Sequence, residues 1–264
     1  MPLLKVSDMT KTFGGLQALT NLNISVEEGE IVSLIGPNGS GKTTLFNVIT
    51  GVYRPTSGRV IFNGDDITYL KTYEIIRKGI SRVFQTTSLF LNGTVLQNVI
   101  AGSYIFSGIR SFEDFLNTPS TQHKRQAREE RALEILRSLH MVPLKDVAAT
   151  NLPYGSQRLL SLAIARSIQP KLMLLDEPLT GMNPSEKAET IDLIRQMYEK
   201  DKITILLVEH DMRSVMDLSD RIVVLNFGEK IAEGPPEVIR DNPKVVECYL
   251  GGRWVSDKGR GNVA

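Results

Sequence analysis

The chain has 264 residues, 41% of them hydrophobic, enough to bury a sizeable core, and a single cysteine, Cys248, which excludes an intrachain disulfide and fits a reducing, cytoplasmic setting. Its 31 Lys+Arg stand against 30 Asp+Glu, a formal charge of +1, and so even a balance argues against a dedicated nucleic-acid binder; no nucleic-acid partner is expected. No stretch approaches the ~18–20 apolar residues of a membrane span, and Met1–Asp8 lacks the layout of a signal peptide, so the chain is expected to be soluble in isolation and to need another subunit to hold it at a membrane.

Taken in chain order, residues 3–26 and 59–67 have the character of antiparallel strands, with Asn63-Gly64 as a hairpin turn. Between them Ile31–Ile35 is a short run apolar on both faces, as a buried parallel strand requires. A glycine-rich turn follows, then a helix over 42–50 with Gly51 past its end. Residues about 95–140 have a helical pattern, with Ala127, Leu133, Leu136 and Leu139 on one face of Gln122–His140. The basic run His123-Lys124-Arg125, with Arg128 and Arg131, is interleaved with Glu129, Glu130 and Glu134 and predicts a solvated helix face. Leu172–Leu175, Thr204–Val208 and Ile222–Leu225 are three more buried-strand runs, and Asn183-Pro184-Ser185-Glu186 has the cap, first-turn proline and returning glutamate of a helix start. Alternation of this kind predicts an α/β fold with a mainly parallel core sheet, an N-terminal antiparallel β subdomain and an inserted helical subdomain.

Gly36-Pro37-Asn38-Gly39-Ser40-Gly41-Lys42-Thr43 matches the phosphate-loop pattern G-x-x-x-x-G-K-[ST] in full and sits between a strand and a helix. Glycines let the backbone turn successive N–H groups toward phosphate oxygens, and the helix N-terminus adds its partial positive charge. Lys42 is the candidate ligand of the β- and γ-phosphates, Thr43 of Mg2+, and Thr44 completes the nucleotide contact set. The loop implies a nucleoside triphosphate without separating an ATPase from a GTPase or a small-molecule kinase. Leu172–Leu175 ends in Asp176-Glu177, two acids at the C-terminal end of a buried strand, where open α/β sheets place ligands. Asp176 is the candidate Mg2+ partner and Glu177 the candidate general base for the attacking water.

These landmarks, with others in fixed order, make the chain resemble an ABC transporter ATP-binding cassette over about residues 3–251. Gln85 in Arg82-Val83-Phe84-Gln85 is similar to the family's Q-loop glutamine, and Leu152-Pro153-Tyr154-Gly155-Ser156-Gln157 to its signature motif. Thr180-Gly181-Met182-Asn183 stands where the D-loop belongs, His210 where the switch histidine belongs, and Phe13 where an adenine-stacking aromatic belongs. The resemblance implies one cassette over 1–252, with a helical subdomain at about 88–168 and a polar tail at 253–264. It implies ATP and Mg2+ as cofactors. ATP would meet Phe13 and residues Gly36 to Thr44. Gln85 and His210 would join Glu177 in catalysis, and Gln85 would also meet the metal. Tyr154, Gly155, Ser156 and Gln157 would meet the ATP of a partner subunit. In the signature, Pro153 replaces the usual serine and offers neither hydroxyl nor N–H, so donors there have to come from Gly155 and the helix N-terminus.

Phe13-Gly14-Gly15-Leu16, Thr50-Gly51-Val52-Tyr53-Arg54-Pro55, the Tyr-Gly form of the signature, Ile231-Ala232-Glu233-Gly234 and Tyr249-Leu250-Gly251 resemble bacterial branched-chain amino acid uptake cassettes. That likeness implies an importer motor on the cytoplasmic face of the membrane. Its partners would be a second cassette, identical or related, two permease subunits and an extracytoplasmic substrate-binding protein. Cassettes for urea, amides or lipopolysaccharide, and a soluble cassette of the iron–sulfur assembly type, are the alternatives. The apolar turn Ser88-Leu89-Phe90-Leu91 is either a docking surface for a membrane subunit or a buried turn.

Overall fold

The computed structural model describes residues 1–83, 89–104 and 119–250, with 119–121 and 250 described by backbone alone. Gln85, Ser88 and the expected tail at 253–264 lie outside the described residues. The chain divides into two compact units, Met1–Lys71 with the chain from Thr204 onward, and Thr72–Ile203.

The first unit contains two sheets. The antiparallel sheet runs β2 (Leu16–Val26), β1 (Leu4–Phe13), β4 (Ser57–Phe62), β5 (Asp65–Asp66). β1 and β2 form a hairpin closed at Phe13 opposite Leu16, and β4 and β5 turn at the expected Asn63-Gly64, both with positive φ. In the second sheet β3 (Ile31–Ile35) lies between two parallel neighbours, β8 (Thr204–Val208) and β9 (Arg221–Asn226), while β10 (Glu229–Gly234) returns antiparallel on β9. Every residue of β3 and β8 is buried, which is why those runs are apolar without alternation. α1 (Lys42–Ile49) follows β3; α7 (Met212–Leu218), α8 (Pro236–Arg240) and α9 (Pro243–Leu250) follow β8 and β10. Ile35, Val215, Ile222, Val224, Ile239 and Val245 make one of this unit's cores. Arg221 binds both carboxylate oxygens of Glu30 at 2.7 and 2.8 Å, joining the start of β9 to the residue before β3.

The second unit pairs β6 (Ile80–Val83) with β7 (Leu172–Asp176) in parallel, Val83 opposite Leu175. It also carries α2 (Thr72–Arg77), α3 (Val95–Ser103), α4 (Pro119–Ser138), α5 (Tyr154–Ser167) and α6 (Pro184–Asp201). The expected helical insertion at about 88–168 falls inside this unit. α3 starts on a capping box between Thr94 and Gln97, and α6 on the Asn183–Glu186 box read from the sequence. Val95, Val99, Ile135, Leu136, Leu139, Leu160 and Ala163 knit α3, α4 and α5 into a common core.

α4 departs from its expected faces. Its buried stripe is Ala132, Ile135 and Leu136, with Leu139 buried just past its end; Ala127 is exposed and Leu133 only half-buried. Arg128, expected on a solvated face, is 9% exposed, its guanidinium 4.3 Å from the ring centre of Tyr104 just past α3. A cation over an aromatic face tolerates desolvation, and charge patterning along one helix does not register a ring supplied by another. The helix also ends at Ser138, with His140 beyond it in the left-handed region. α5 begins at Tyr154, so the signature residues form its first turn.

Candidate functional site

The phosphate loop is built as its sequence requires. Gly36 and Gly41 have φ of 150° and 104°. A Cβ on Gly36 would stand 2.1 Å from the Leu225 carbonyl oxygen, and one on Gly41 2.7 Å from that of Ala18. Neither position admits a side chain. Gly41 is the N-cap of α1, with no capping side chain, so the helix presents its first N–H groups to the loop. Lys42 curls back over the turn, its Nζ donating to the carbonyl oxygens of Gly36 at 2.8 Å and Pro37 at 3.0 Å and to Ser40 Oγ at 3.4 Å. Asn38 and Gly39 are exposed, Pro37 and Thr44 half-buried and Ser40 buried. A bowl of backbone donors with an ammonium inside it is suited to a polyphosphate.

His210 lies two residues past Val208 on β8, as Gly36 lies two past Leu34 on β3, and Leu34 and Val208 are register partners. The histidine and the loop therefore leave the same end of two paired strands. The His210 side chain is 64% exposed, and its backbone N–H donates to the buried Glu209 carboxylate at 3.1 Å. Asp211 caps α7 immediately after it.

Phe13 ends β1 and is 40% exposed, so the expected open ring is present. It is buttressed by two residues the sequence reading gave no part. Tyr53 meets it edge-on at 5.2 Å between centroids, and Lys11 Nζ stands 4.7 Å from its centre while donating to the Arg54 carbonyl at 2.9 Å. Tyr249 is a third such residue. Burial of its ring pushes the phenol up to about 12, against a smaller lowering by the Gly36 backbone, although 39% of the residue is exposed. The tyrosine stood in a noted sequence pattern, Tyr249-Leu250-Gly251, but nothing local tied α9 to the loop.

In the second unit Asp176 is the last residue of β7 and 3% exposed. Its carboxylate accepts from Arg82 Nη2 at 2.7 Å, both side chains being 5% exposed. Arg82 was within the Q-loop stretch but received no role; a charged residue inside the buried strand Ile80–Val83 was the available signal, because such a charge needs a partner. Glu177 follows with φ 51°, a left-handed conformation unusual for its type, and accepts at Oε2 from Thr180 Oγ1 at 3.3 Å. Strain of this sort, on the order of 1–3 kcal/mol, gathers at working residues. Val83 and Leu175 are register partners, so the chain toward Gln85 and the two acids leave the same end of their strands.

The signature residues stand at the start of α5. Tyr154 is 47% exposed, Gly155 is buried, and Ser156 and Gln157 are half-buried. Gln157 Nε2 donates back to the Leu152 carbonyl at 3.0 Å, and its N–H to Pro153 at 3.0 Å. Pro153 is the N-cap and supplies no side-chain cap to the first N–H groups of the 14-residue helix. Taken each within its own unit, the Thr43 hydroxyl, which belongs to an exposed residue, and the Asp176 carboxylate are both hard oxygens. That is the chemistry Mg2+ takes together with phosphates and water. Among the described residues no helix is long and apolar enough to cross a membrane.

A family model described as "ABC transporter" matches residues 19–180, and a second, "Branched-chain amino acid ATP-binding cassette transporter", matches 229–255. The chain is 40% identical to the high-affinity branched-chain amino acid transport ATP-binding protein BraF of Pseudomonas aeruginosa and 42% identical to LivG of Escherichia coli. Each alignment covers 95% of this chain and 98% of the relative. Among solved structures, a nucleotide-free ATP-binding cassette from an ABC transporter is 34% identical with a TM-score of 0.82, over 95% of this chain and all of that one. The dimeric ADP- and phosphate-bound cassette MJ0796 is 28% identical with a TM-score of 0.74, over 88% of this chain and 98% of that one. This chain belongs to the ABC transporter ATP-binding family, and it is an ATP-hydrolysing cassette.

Proposed function

We propose that this cassette is the motor of an importer for branched-chain or other hydrophobic amino acids. One observation carries the reading: the similarity to branched-chain cassettes runs the length of the chain and extends to a separate match at 229–255, beyond the generic cassette region. The exposure of Phe90 and Leu91, 64% and 53%, supports a cassette that docks on a membrane subunit over a soluble one, because a buried turn would have hidden both. Those residues, peripheral attachment at the cytoplasmic face, two permease subunits and an external binding protein belong to one reading.

The roles follow residue by residue. Phe13 stacks on the adenine, a contact worth about 1–3 kcal/mol. Lys42 moves from carbonyl oxygens to phosphate oxygens, and the loop N–H groups hold the rest of the triphosphate. Thr43, Asp176 and Gln85 would supply oxygen donors to Mg2+, which would neutralise charge on the phosphates. Glu177 accepts the proton of the attacking water, and His210 donates to the γ-phosphate, so its contact reports whether that group is still attached. Tyr154, Gly155, Ser156 and Gln157 lie against the nucleotide of a second cassette, chiefly through backbone donors at the start of α5.

The test is to tag the chain, extract membranes gently and identify what co-purifies, then measure leucine uptake in cells lacking the chain. Two multi-spanning permeases, a second cassette and lost leucine uptake are expected. Recovery of soluble partners alone sinks the transport reading and leaves the ATPase standing; a transporter complex with intact leucine uptake sinks the cargo.

A further inference from the structure

We propose that Tyr154 is a positioning residue that locks the signature turn to the turn at Thr180–Asn183, so that one phenol sets both of these edges and joins them to Glu177. This rests on the reading that the signature faces a second cassette.

The ring is held from two sides. One helical turn on, Arg158 lies on the same face of α5. It is 3% exposed and donates to the Tyr154 hydroxyl from Nε at 3.1 Å and Nη2 at 2.6 Å. Hydrogen bonds from a guanidinium are stronger than neutral ones, so the phenol is fixed although half of it is exposed. On the other side it lies directly on Gly181. That glycine has φ 81°, and a Cβ there would stand 2.6 Å from Tyr154 Cε1. The tyrosine occupies the space a side chain at 181 would need.

A second contact runs parallel. A Cβ on Gly155 would stand 2.9 Å from Glu186 Oε1, so the signature backbone rests on the carboxylate that also accepts the Asn183 N–H at 2.9 Å and closes the cap of α6. The Gly181 turn is in turn bonded to the hydrolytic residue: Thr180 donates to Glu177 through its hydroxyl at 3.3 Å and through its N–H to the carbonyl at 3.3 Å. The sequence of contacts is thus Arg158, Tyr154, Gly181, Thr180, Glu177. A smaller residue at 154 would leave the 180–183 turn free to shift away from the signature.

The experiment uses the assembled complex and three variants, Tyr154→Ala, Tyr154→Phe and Gly181→Ala, with Tyr154→Ala/Gly181→Ala as the double. Tyr154→Ala is expected to lower kcat at least about tenfold while the isolated chain binds ATP with unchanged affinity. Tyr154→Phe keeps the ring on Gly181 and is expected to recover most of kcat. Gly181→Ala, strained at φ 81° with or without the ring and clashing with the ring as well, is expected to lose at least as much, and the double to be no worse than Gly181→Ala, because the turn is already displaced from the ring. Wild-type kcat in Tyr154→Ala, or losses that multiply in the double, overturns the proposal. ATP-dependent association of two cassettes, followed on a Glu177→Gln background, separates the layers. With no such association the partner-facing reading falls and takes the proposal with it; association with an unaffected Tyr154→Ala kcat overturns the proposal alone. If Tyr154→Ala does not fold, Tyr154→Val, which also withdraws the ring from Gly181, carries the same cycle.

Discussion

Replacing Arg82 by methionine keeps the length of the side chain and removes its charge from a place where charge is expensive. The guanidinium and the Asp176 carboxylate are each 5% exposed and 2.7 Å apart. Removing one partner leaves the other's charge in a poorly solvated setting, at a cost of about 3–5 kcal/mol. With a urea slope near 3 kcal/mol per molar, the midpoint falls by about 1–1.7 M. Asp176→Asn is expected to lose stability on a similar scale. The double variant, which removes both charges, is expected to lose less than the sum by at least about 2 kcal/mol. Urea unfolding at pH 7 followed by circular dichroism measures all four proteins. A loss below about 1 kcal/mol in Arg82→Met, the level of an exposed pair, together with additive singles, would refute the idea that this pair secures the end of β7.

Glu177→Gln is expected to bind ATP and turn over at least about a hundredfold more slowly, the scale of losing a general base; near-normal turnover removes Glu177 from that role. Lys42→Ala is expected to lose triphosphate binding, and an unchanged affinity in a nucleotide titration would remove the loop assignment. Tyr249 stays neutral in the folded chain up to about 12, whereas the unfolded phenol ionises near 10. Its contribution to stability is whole below pH 10 and is lost as pH rises through about 12. The urea midpoint of the wild type should therefore fall more steeply across that window than that of Tyr249→Phe, and parallel curves contradict the assignment.

What could be read from sequence was whatever short-range physics fixes. Ile31–Ile35, Thr204–Val208 and Leu172–Asp176 are buried on both faces, so apolar runs announce them. Asn63-Gly64 and the Asn183–Glu186 box are settled within four residues. The loop from Gly36 to Thr43 and the pair Asp176-Glu177 are contiguous motifs. What could not be read depends on partners far along the chain. Arg82 and Asp176 are 94 residues apart and meet only because β6 and β7 pair. Arg128 is buried because α3 ends beside it with Tyr104. Tyr53 reaches Phe13 from beyond the helix that follows the phosphate loop, and Tyr249 reaches Gly36 from a helix more than two hundred residues on.

The resting place of Lys42 bears on the speed of the motor. Three neutral oxygens from its own loop already satisfy the ammonium, so arriving phosphate is exchanged for them rather than added to a bare charge. Part of the gross attraction is therefore cancelled, and affinity is held below what an unsatisfied lysine would give. The same arrangement works in reverse. When spent nucleotide departs, the cation has acceptors within reach and is not stranded, which lowers the barrier to letting go. A loop wired in this way favours repeated cycling over tight retention.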